Sequence, residues 1–337
     1  MNKPSARKVL DFTLISNPLV PSNKARHAMR KAIKTVRQLP RTDFLTRYLC
    51  ATEHVAEEQI LLGHGASHLF SLMLRALHPR SILLPMPAPR AYEEILEKEG
   101  VQIRPFALDL EQSFAIDGEA FKERWRDVDA ALILNPHNPT GATLPQAVIT
   151  DLIQTSSERD KLLIIDETLR DFTDNPSLAQ RAAATPNAFV LRSFSTYHAL
   201  AGLRLGYIIG DDDILSHLEH NMEPRSVNSI ALPAALASLK DKGYRARTAR
   251  YLSDEKEYAL KKLQAIDRAK PVVTPWGIFI RIEPSASDIK SRFTDERILI
   301  DEYKDAQGNQ YLSFPFRSRA DNARFFRTLR WLLRGQS

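Results

Sequence analysis

The chain is poor in cysteine and in long apolar runs. Its 337 residues include one cysteine, Cys50, which cannot form an internal disulfide bond and favours a reducing, cytoplasmic location. We expect Cys50 to be an inert core or interface residue. No apolar run reaches the length of a membrane span, and the first residues lack the apolar segment of a secretory signal. We therefore expect no association with a membrane.

The chain also lacks a stretch dominated by charge of one sign. Its net charge of +6 arises from 47 basic and 41 acidic residues that are interleaved. This arrangement predicts a solvated basic surface and no nucleic-acid partner. His64, His68, His137 and His198 could converge, but none has the spacing of a metal-binding motif, so we expect no metal.

Strongly apolar segments alternate with helical segments through the first two thirds of the chain. This alternation predicts an α/β fold with a mostly parallel sheet. The predicted strands cover residues 59–63, 81–85, 101–108, 129–134, 162–166, 188–194 and 205–209. We also expect a helix over residues 24–36, a long helix over residues 234–266 that breaks near Gly243, and later strands at 271–283 and 309–314. The predicted division is an N-terminal arm and helix (1–40), a large domain (41–235) and a small domain (236–337).

Three motifs lie at the ends of these strands. They are NPHNPTG at residues 135–141, the pair Asp166-Glu167, and LRSFSTYHALAGLRLGY at residues 191–207. Their order and spacing resemble the signature of fold-type I pyridoxal-phosphate (PLP) enzymes of the class I/II aminotransferase superfamily. The segments DETLRDFT and SVNSIA most resemble threonine-phosphate decarboxylases, with histidinol-phosphate aminotransferases next. The resemblance implies a seven-stranded large domain, a small α/β domain and a homodimer with its site at the subunit interface.

The resemblance assigns cofactor-binding roles to several residues. Asn138 would bond the phenolic oxygen of PLP, and Asp166 would pair with the pyridine nitrogen and keep it protonated. Ser193 and Arg204 would bind the phosphate, since an arginine–phosphate pair is charge-assisted.

A glycine turn in GHGASHLF adds a further candidate for the phosphate. The turn leads into a helix whose first N–H groups can bind an anion, although, taken alone, an ordinary glycine turn is the better explanation. Beside the other motifs, the resemblance makes Ala66 and Ser67 a phosphate-binding turn.

Other positions depart from the family pattern. Thr196 stands where the family carries the lysine that forms the Schiff base, and a threonine has no amine. Pro89 stands in the place of the aromatic residue that stacks on the ring, and Leu39 and Leu169 also replace aromatic residues. Ser313 replaces the arginine that binds a substrate α-carboxylate. The resemblance leaves four candidate substrate contacts, which are Asn17, Tyr92, Ser313 and Arg317.

Three functions fit this combination. The first is an enzyme that binds PLP or pyridoxamine phosphate non-covalently, with His198 or His137 as the base; either histidine could instead only fill or cap the pocket. It would act on an amino acid or a phosphorylated amine. The second is a catalytically degenerate relative that serves as a binding or partner subunit. The third is an enzyme that uses the anion pocket for another phosphorylated ligand.

Overall fold

The structure is a computed structural model that describes residues 8–108, 113–286, 288–305 and 307–334. Its strands, in chain order, are β1 (Leu10–Asp11), β2 (Ile60–Gly63), β3 (Ser81–Met86), β4 (Gln102–Ala107), β5 (Ala130–Leu134), β6 (Leu162–Asp166), β7 (Ala188–Ser193), β8 (Gly206–Ile209), β9 (Ala269–Thr274), β10 (Gly277–Ile282), β11 (Ile298–Leu299), β12 (Asp301–Lys304) and β13 (Gln310–Pro315). Its α-helices are α1 (Asn23–Ala32), α2 (Asp43–Glu53), α3 (Ala66–Leu77), α4 (Arg90–Lys98), α5 (Gly118–Trp125), α6 (Gln146–Glu158), α7 (Ala179–Ala183), α8 (Asp212–His220), α9 (Ala231–Leu239), α10 (Lys242–Leu263), α11 (Ile289–Asp295) and α12 (Arg319–Arg334).

Seven strands form one large sheet in the order β2-β8-β7-β6-β5-β3-β4. Every neighbouring pair is parallel except the two that involve β8. The predicted α/β fold with a mostly parallel seven-stranded sheet is therefore confirmed. Residues along each central strand alternate between two buried clusters, as with Leu132 and Ile133 of β5. Helices thus cover both faces of the sheet, which is why its strands are almost continuously apolar.

The carboxyl ends of the central strands bring the three motifs together. Leu134 of β5 pairs with Asp166 of β6, and Asp166 pairs with Leu191 of β7. Ser193 ends β7 opposite Gly206 of β8. The loops that follow these strands therefore start at one edge of the sheet, where ligands bind in folds of this kind.

The later part of the chain forms a smaller, four-stranded antiparallel sheet in the order β12-β13-β10-β9. It packs against the large domain through Phe279 and Tyr311, whose rings stack with centroids 4.7 Å apart. Residues 271–283 form a hairpin and not a single strand. Pro275 has no N–H to continue the ladder, and the chain reverses at Pro275-Trp276.

Two of the predicted helices also differ from the structure. The helix predicted over residues 24–36 ends at Ala32, and a single 3₁₀ turn follows at Ile33–Thr35. Ile33 and Val36 are mostly exposed, so no packing extends the helix. The long helix near Gly243 divides into α9 and α10, as expected. Among the described residues, no helix combines the length and apolar character needed to cross a bilayer.

Candidate active site

One cleft at the carboxyl edge of the large sheet, with a volume of about 370 Å³, gathers most of the predicted site residues. The predicted residues that line it are Ala66, Ser67, Pro89, Tyr92, Asn138, Asp166, Ser193, Thr196, Arg204 and Ser313. A larger cleft of about 540 Å³ lies beside α8 and contains none of them. We place the candidate site in the smaller cleft, because the chemically matched side chains converge there.

One end of the cleft is built to hold an anion. Helix α3 begins at Ala66 with no side chain capping its first N–H groups. A β-carbon added at Gly65, whose φ is +84°, would lie 2.9 Å from a guanidinium nitrogen of Arg204. The Arg204 guanidinium therefore lies against the start of α3. Within the described ranges it forms no ion pair, so its charge and the helix N–H groups remain available to a ligand.

Ser193 completes this anion-binding end. Its Oγ accepts a hydrogen bond from the backbone N–H of Ser195 at 3.0 Å, which leaves the hydroxyl proton free to donate. We call this set, Ala66, Ser67, Ser193 and Arg204, the phosphate cup.

Asp166 lies at the end of β6 and is buried in the floor of the cleft. Its Oδ2 accepts a hydrogen bond from the hydroxyl of Tyr92 at 2.6 Å, and its Oδ1 accepts one from the N–H of Thr168 at 2.7 Å. Burial raises the pKa of Asp166, and the bonds from Thr168 and Tyr92 partly oppose this. The carboxylate is held rigidly and, because it is desolvated, would be stabilised by a cationic partner.

Asn138 is presented to the cleft by a fixed loop. The N–H of His137 donates to the carbonyl of Ala142 at 2.7 Å, and the N–H of Gly141 donates to the carbonyl of His137 at 2.7 Å. Gly141 has a φ of +78°, and an added β-carbon there would lie 2.8 Å from the side chain of Thr274. Glycine is required at 141 because the hairpin of the small sheet approaches this closely.

Thr196 lines the cleft, but its polar groups are already bonded within the protein. Its hydroxyl donates to the carbonyl of Thr168 at 2.9 Å, and its own carbonyl accepts from the N–H of Asn17 at 2.9 Å. None of the described residues that line the cleft is a lysine. No amine that could attack a carbonyl carbon therefore reaches this space from the described part of the chain.

The two histidines considered as bases do not line this cleft. His137 is buried, with Nδ1 2.9 Å from Oγ1 of Thr140, and burial lowers its pKa to about 4. His198 lies in a separate cavity of about 310 Å³ beside Tyr244, with Nε2 3.7 Å from Oδ2 of Asp171. Burial lowers the pKa of His198 as well. The chain turns directly after Thr196, which directs His198 away from the cleft.

Asn17 and Arg317, which the resemblance makes candidate substrate contacts, do not line the cleft either. The amide of Asn17 is buried and donates to Oγ1 of Thr248 at 2.8 Å. The Arg317 guanidinium donates to the carbonyls of Asp11 at 3.0 Å, of Ser16 at 3.4 Å, and of Leu14. Arg317 thus fixes the N-terminal arm, whose residues 13–15 form part of the cleft wall.

The structure adds cleft residues that sequence reasoning did not identify. Asp301 and Tyr303 of β12 line the end near Ser313, and Arg90 and Glu94 of α4 line the wall. Asp301 pairs with Ser313 across the β12–β13 ladder. These residues belong to no motif, and only the docking of the small sheet brings β12 to the cleft.

Comparison with known proteins shows the family to which the chain belongs. A family model described as aminotransferase class I and II matches residues 13–304. The chain is 27% identical to the threonine-phosphate decarboxylase of Salmonella typhimurium, over 98% of the chain and 93% of that protein. It is 30% identical to a histidinol-phosphate aminotransferase of Nitratidesulfovibrio vulgaris, over 86% of the chain and 79% of that protein.

A solved structure has the same fold at low sequence identity. It is histidinol-phosphate aminotransferase from Sinorhizobium meliloti in complex with pyridoxal-5'-phosphate, which superposes with a TM-score of 0.85 at 17% identity and covers 98% of this chain and 93% of that chain. The family match covers most of the sequence, and the identities extend along nearly its whole length. The chain therefore belongs to the class I and II aminotransferase family.

Proposed function

We propose that the protein binds PLP or pyridoxamine phosphate without a covalent bond and acts on a phosphorylated amine or an amino acid. The observation that carries this proposal is the phosphate cup. An arginine without an ion-pair partner in the described chain lies against the uncapped start of α3, a combination suited to a dianionic phosphate. The family uses PLP, which makes its phosphate the favoured occupant.

The other groups in the cleft fit the ring of the same cofactor. Asp166 would hold a protonated ring nitrogen, and that cation would offset the cost of burying the carboxylate. Asn138 would bond the ring oxygen, and Pro89 would lie against the ring face in place of an aromatic side chain. When bound, the cofactor would supply an electron-accepting ring. Tyr92 would keep Asp166 in position through the 2.6 Å hydrogen bond.

The similar proteins bear names that point to phosphorylated amino compounds. They are a threonine-phosphate decarboxylase and a histidinol-phosphate aminotransferase. We extend this substrate class to the present chain, because 98% of it is covered by the match to the first of these relatives.

A second candidate function is a binding or partner subunit without catalysis. The observation that favours it is the composition of the cleft wall, which within the described residues includes neither a lysine nor a histidine. Transamination needs an amine that reacts with the aldehyde and a base that moves a proton, and one lysine normally does both tasks. The two candidates share the phosphate cup and differ in turnover.

Calorimetric titration with PLP, pyridoxamine phosphate and inorganic phosphate tests the shared part of the proposal. Arg204→Ala should lower the affinity for all three ligands by roughly tenfold to a hundredfold, because it removes a charge-assisted pair worth about 1.5–3 kcal/mol. Arg124→Ala, at an exposed position on α5, is the matched control and should leave the affinities unchanged. If neither cofactor form nor phosphate binds to the wild-type protein, the proposal is wrong.

A turnover assay distinguishes the two candidate functions, an enzyme and a non-catalytic binding subunit. The protein saturated with either cofactor form should convert a phosphorylated amino acid or amine, with the product followed by mass spectrometry. Arg204→Ala should lower the apparent cofactor affinity in the same assay. Tight cofactor binding without any conversion across this substrate class would favour the binding or partner subunit.

A further inference from the structure

The end of the cleft near the small sheet has an acidic group where the family pattern places a basic one. Ser313, at the position that the resemblance assigns to a carboxylate-binding arginine, lies opposite Asp301 in the β12–β13 ladder. Both side chains line the cleft, with Tyr303 two residues further along the same face of β12. A neutral hydroxyl and an acid thus occupy the place of a guanidinium.

Asp301 has no direct counter-ion among the residues that the structure describes. Within the described ranges its carboxylate forms neither an ion pair nor a hydrogen bond, and burial raises its pKa. Lys290 and Arg90 act on it only through space, and Asp11 opposes them. A partly buried carboxylate in this setting would be stabilised by a cation that enters the cleft.

Three arginines that could bind a carboxylate already form ion pairs or hydrogen bonds with other groups. Arg90 forms an ion pair with Glu94 at 2.7 Å. Arg317 is held by three carbonyls of the arm, and Arg319 forms an ion pair with Glu255 at 2.6 Å. Arg317 and Arg319 are therefore not available to a ligand carboxylate at this end of the cleft, and the exposed Arg90–Glu94 pair carries no net charge that would offset repulsion from Asp301.

We propose that the end of the cleft formed by Asp301, Tyr303 and Ser313 binds a cationic group. Of the two substrate classes proposed above, this selects amines over α-amino acids: the substrate carries a second, cationic group in place of an α-carboxylate. This rests on the proposed cofactor site, because the phosphate cup would hold the cofactor at the opposite end. The cleft then has opposite charge at its two ends. Tyr303 can donate a hydrogen bond to an acceptor on the same ligand or to Asp301 itself.

Three stable cofactor adducts test the proposal directly. PLP is condensed and reduced with 1,4-diaminobutane, pentylamine or 4-aminobutyrate, which gives pyridoxyl phosphates with a cationic, a neutral or an anionic arm of similar length. Dissociation constants are measured by calorimetry near pH 8, where carboxylates are ionised. The cationic adduct should bind roughly fivefold to tenfold more tightly than the neutral adduct, and the anionic adduct should bind most weakly.

Three variants test which residues cause the tighter binding of the cationic adduct. Asp301→Asn should abolish the advantage of the cationic adduct and leave the affinity of the neutral adduct unchanged. Asp127→Asn removes the same charge from an exposed turn before β5, at the opposite edge of the sheet, and should keep the wild-type preference. Ser313→Arg places a cation beside Asp301 and should reduce or reverse the preference, which provides an independent test if Asp301→Asn folds poorly.

The outcomes distinguish this inference from the proposed function. If all three adducts bind and Arg204→Ala weakens each of them, but the cationic arm gives no advantage, the cofactor site is supported and the inference is overturned. The same conclusion follows if Asp301→Asn and Ser313→Arg both retain the preference. If none of the adducts binds, the proposed cofactor site fails and the inference fails with it.

Discussion

Thr196 makes a structural contribution that can be stated at the level of single bonds. Its hydroxyl donates a hydrogen bond to the carbonyl of Thr168, and the N–H of Thr168 donates one to the carboxylate of Asp166. The loops after β6 and β7 are thereby joined beside the cleft. A threonine at 196 stabilises the position of the acid without providing a nucleophile.

The first prediction concerns an amine introduced at this position. Thr196→Lys should bind PLP covalently, because loss of water between the new amine and the aldehyde forms a carbon–nitrogen bond next to Asp166 and Asn138. Addition of PLP should turn the variant yellow, and borohydride should fix a pyridoxyl group on residue 196, seen by peptide mass spectrometry. Thr196→Met, similar in length but without an amine, should remain unlabelled. A colourless and unlabelled Thr196→Lys protein would contradict the assigned cofactor position.

The second prediction concerns the buried ring of His137. The pKa of this group is about 4 in the folded protein, against an ordinary value of 6.5. The unfolded chain therefore binds the proton more readily, and stability falls as pH drops from about 6.5 towards 4. From about pH 7.5 to pH 5, this single group should lower the free energy of unfolding by about 2 kcal/mol.

Urea unfolding at several pH values isolates this contribution. Over the same pH interval, the free energy of unfolding of His137→Asn should fall by about 2 kcal/mol less than that of the wild-type protein. His27→Asn, at an exposed position on α1, should follow the wild type. Parallel pH profiles for wild type and His137→Asn would show that the buried histidine is not the cause.

At the scale of elements, the cleft depends on an arm that has almost no regular structure. Residues 13–15 form part of the cleft wall, and among the described strands β1 pairs only with the two-residue strand β11. The Arg317 guanidinium holds the carbonyls of Asp11, Leu14 and Ser16. Burial lowers the pKa of Arg317, but the guanidinium stays charged. The three carbonyls offset the cost of removing this charge from water.

The third prediction tests this anchoring. Arg317→Met should increase amide hydrogen exchange of residues 11–17, since three carbonyl contacts are lost while much of the apolar packing is kept. Cofactor affinity should fall moderately because one wall of the cleft loosens. Arg319→Met, which removes an ion pair between α10 and α12, is the control and should leave exchange in the arm unchanged. Unaltered exchange in Arg317→Met would show that the arm is held by other contacts.

The elements that sequence alone predicts well are those whose pattern is local. The strands β5, β6 and β7 are apolar along most of their length and lead into the motif residues, so their positions and the cleft edge follow from sequence. The short strands β11 and β12 carry no periodic signal, and β12 owes its place to pairing with β13. Asp301 therefore could not be assigned to the site. The orientation of His198 was equally inaccessible, because it depends on the turn after Thr196.

At the scale of the whole molecule, apolar exposure is concentrated near one end of the chain. Ile33, Leu39 and Phe44 are each about 60% exposed, at 60%, 63% and 61%, and Val36 is exposed at 54%. Exposed apolar side chains that adjoin one another commonly mark an interaction surface, and these four lie within twelve residues of the chain. Leu39 is also at the position that, by resemblance, faces the neighbouring subunit.

The last prediction is a homodimer formed through this segment. The double variant Val36→Asp/Leu39→Asp should be monomeric at micromolar concentration, because two buried charges in an apolar interface would be strongly unfavourable. Sedimentation velocity should show a dimer of the 38.2 kDa chain for the wild type and a monomer for the variant. Val273→Asp, at another exposed apolar position on β9, should remain dimeric. If the partner completes the cleft, the monomeric variant should also bind cofactor more weakly. A wild-type protein that is monomeric at micromolar concentration would refute the dimer and confine the site to a single chain.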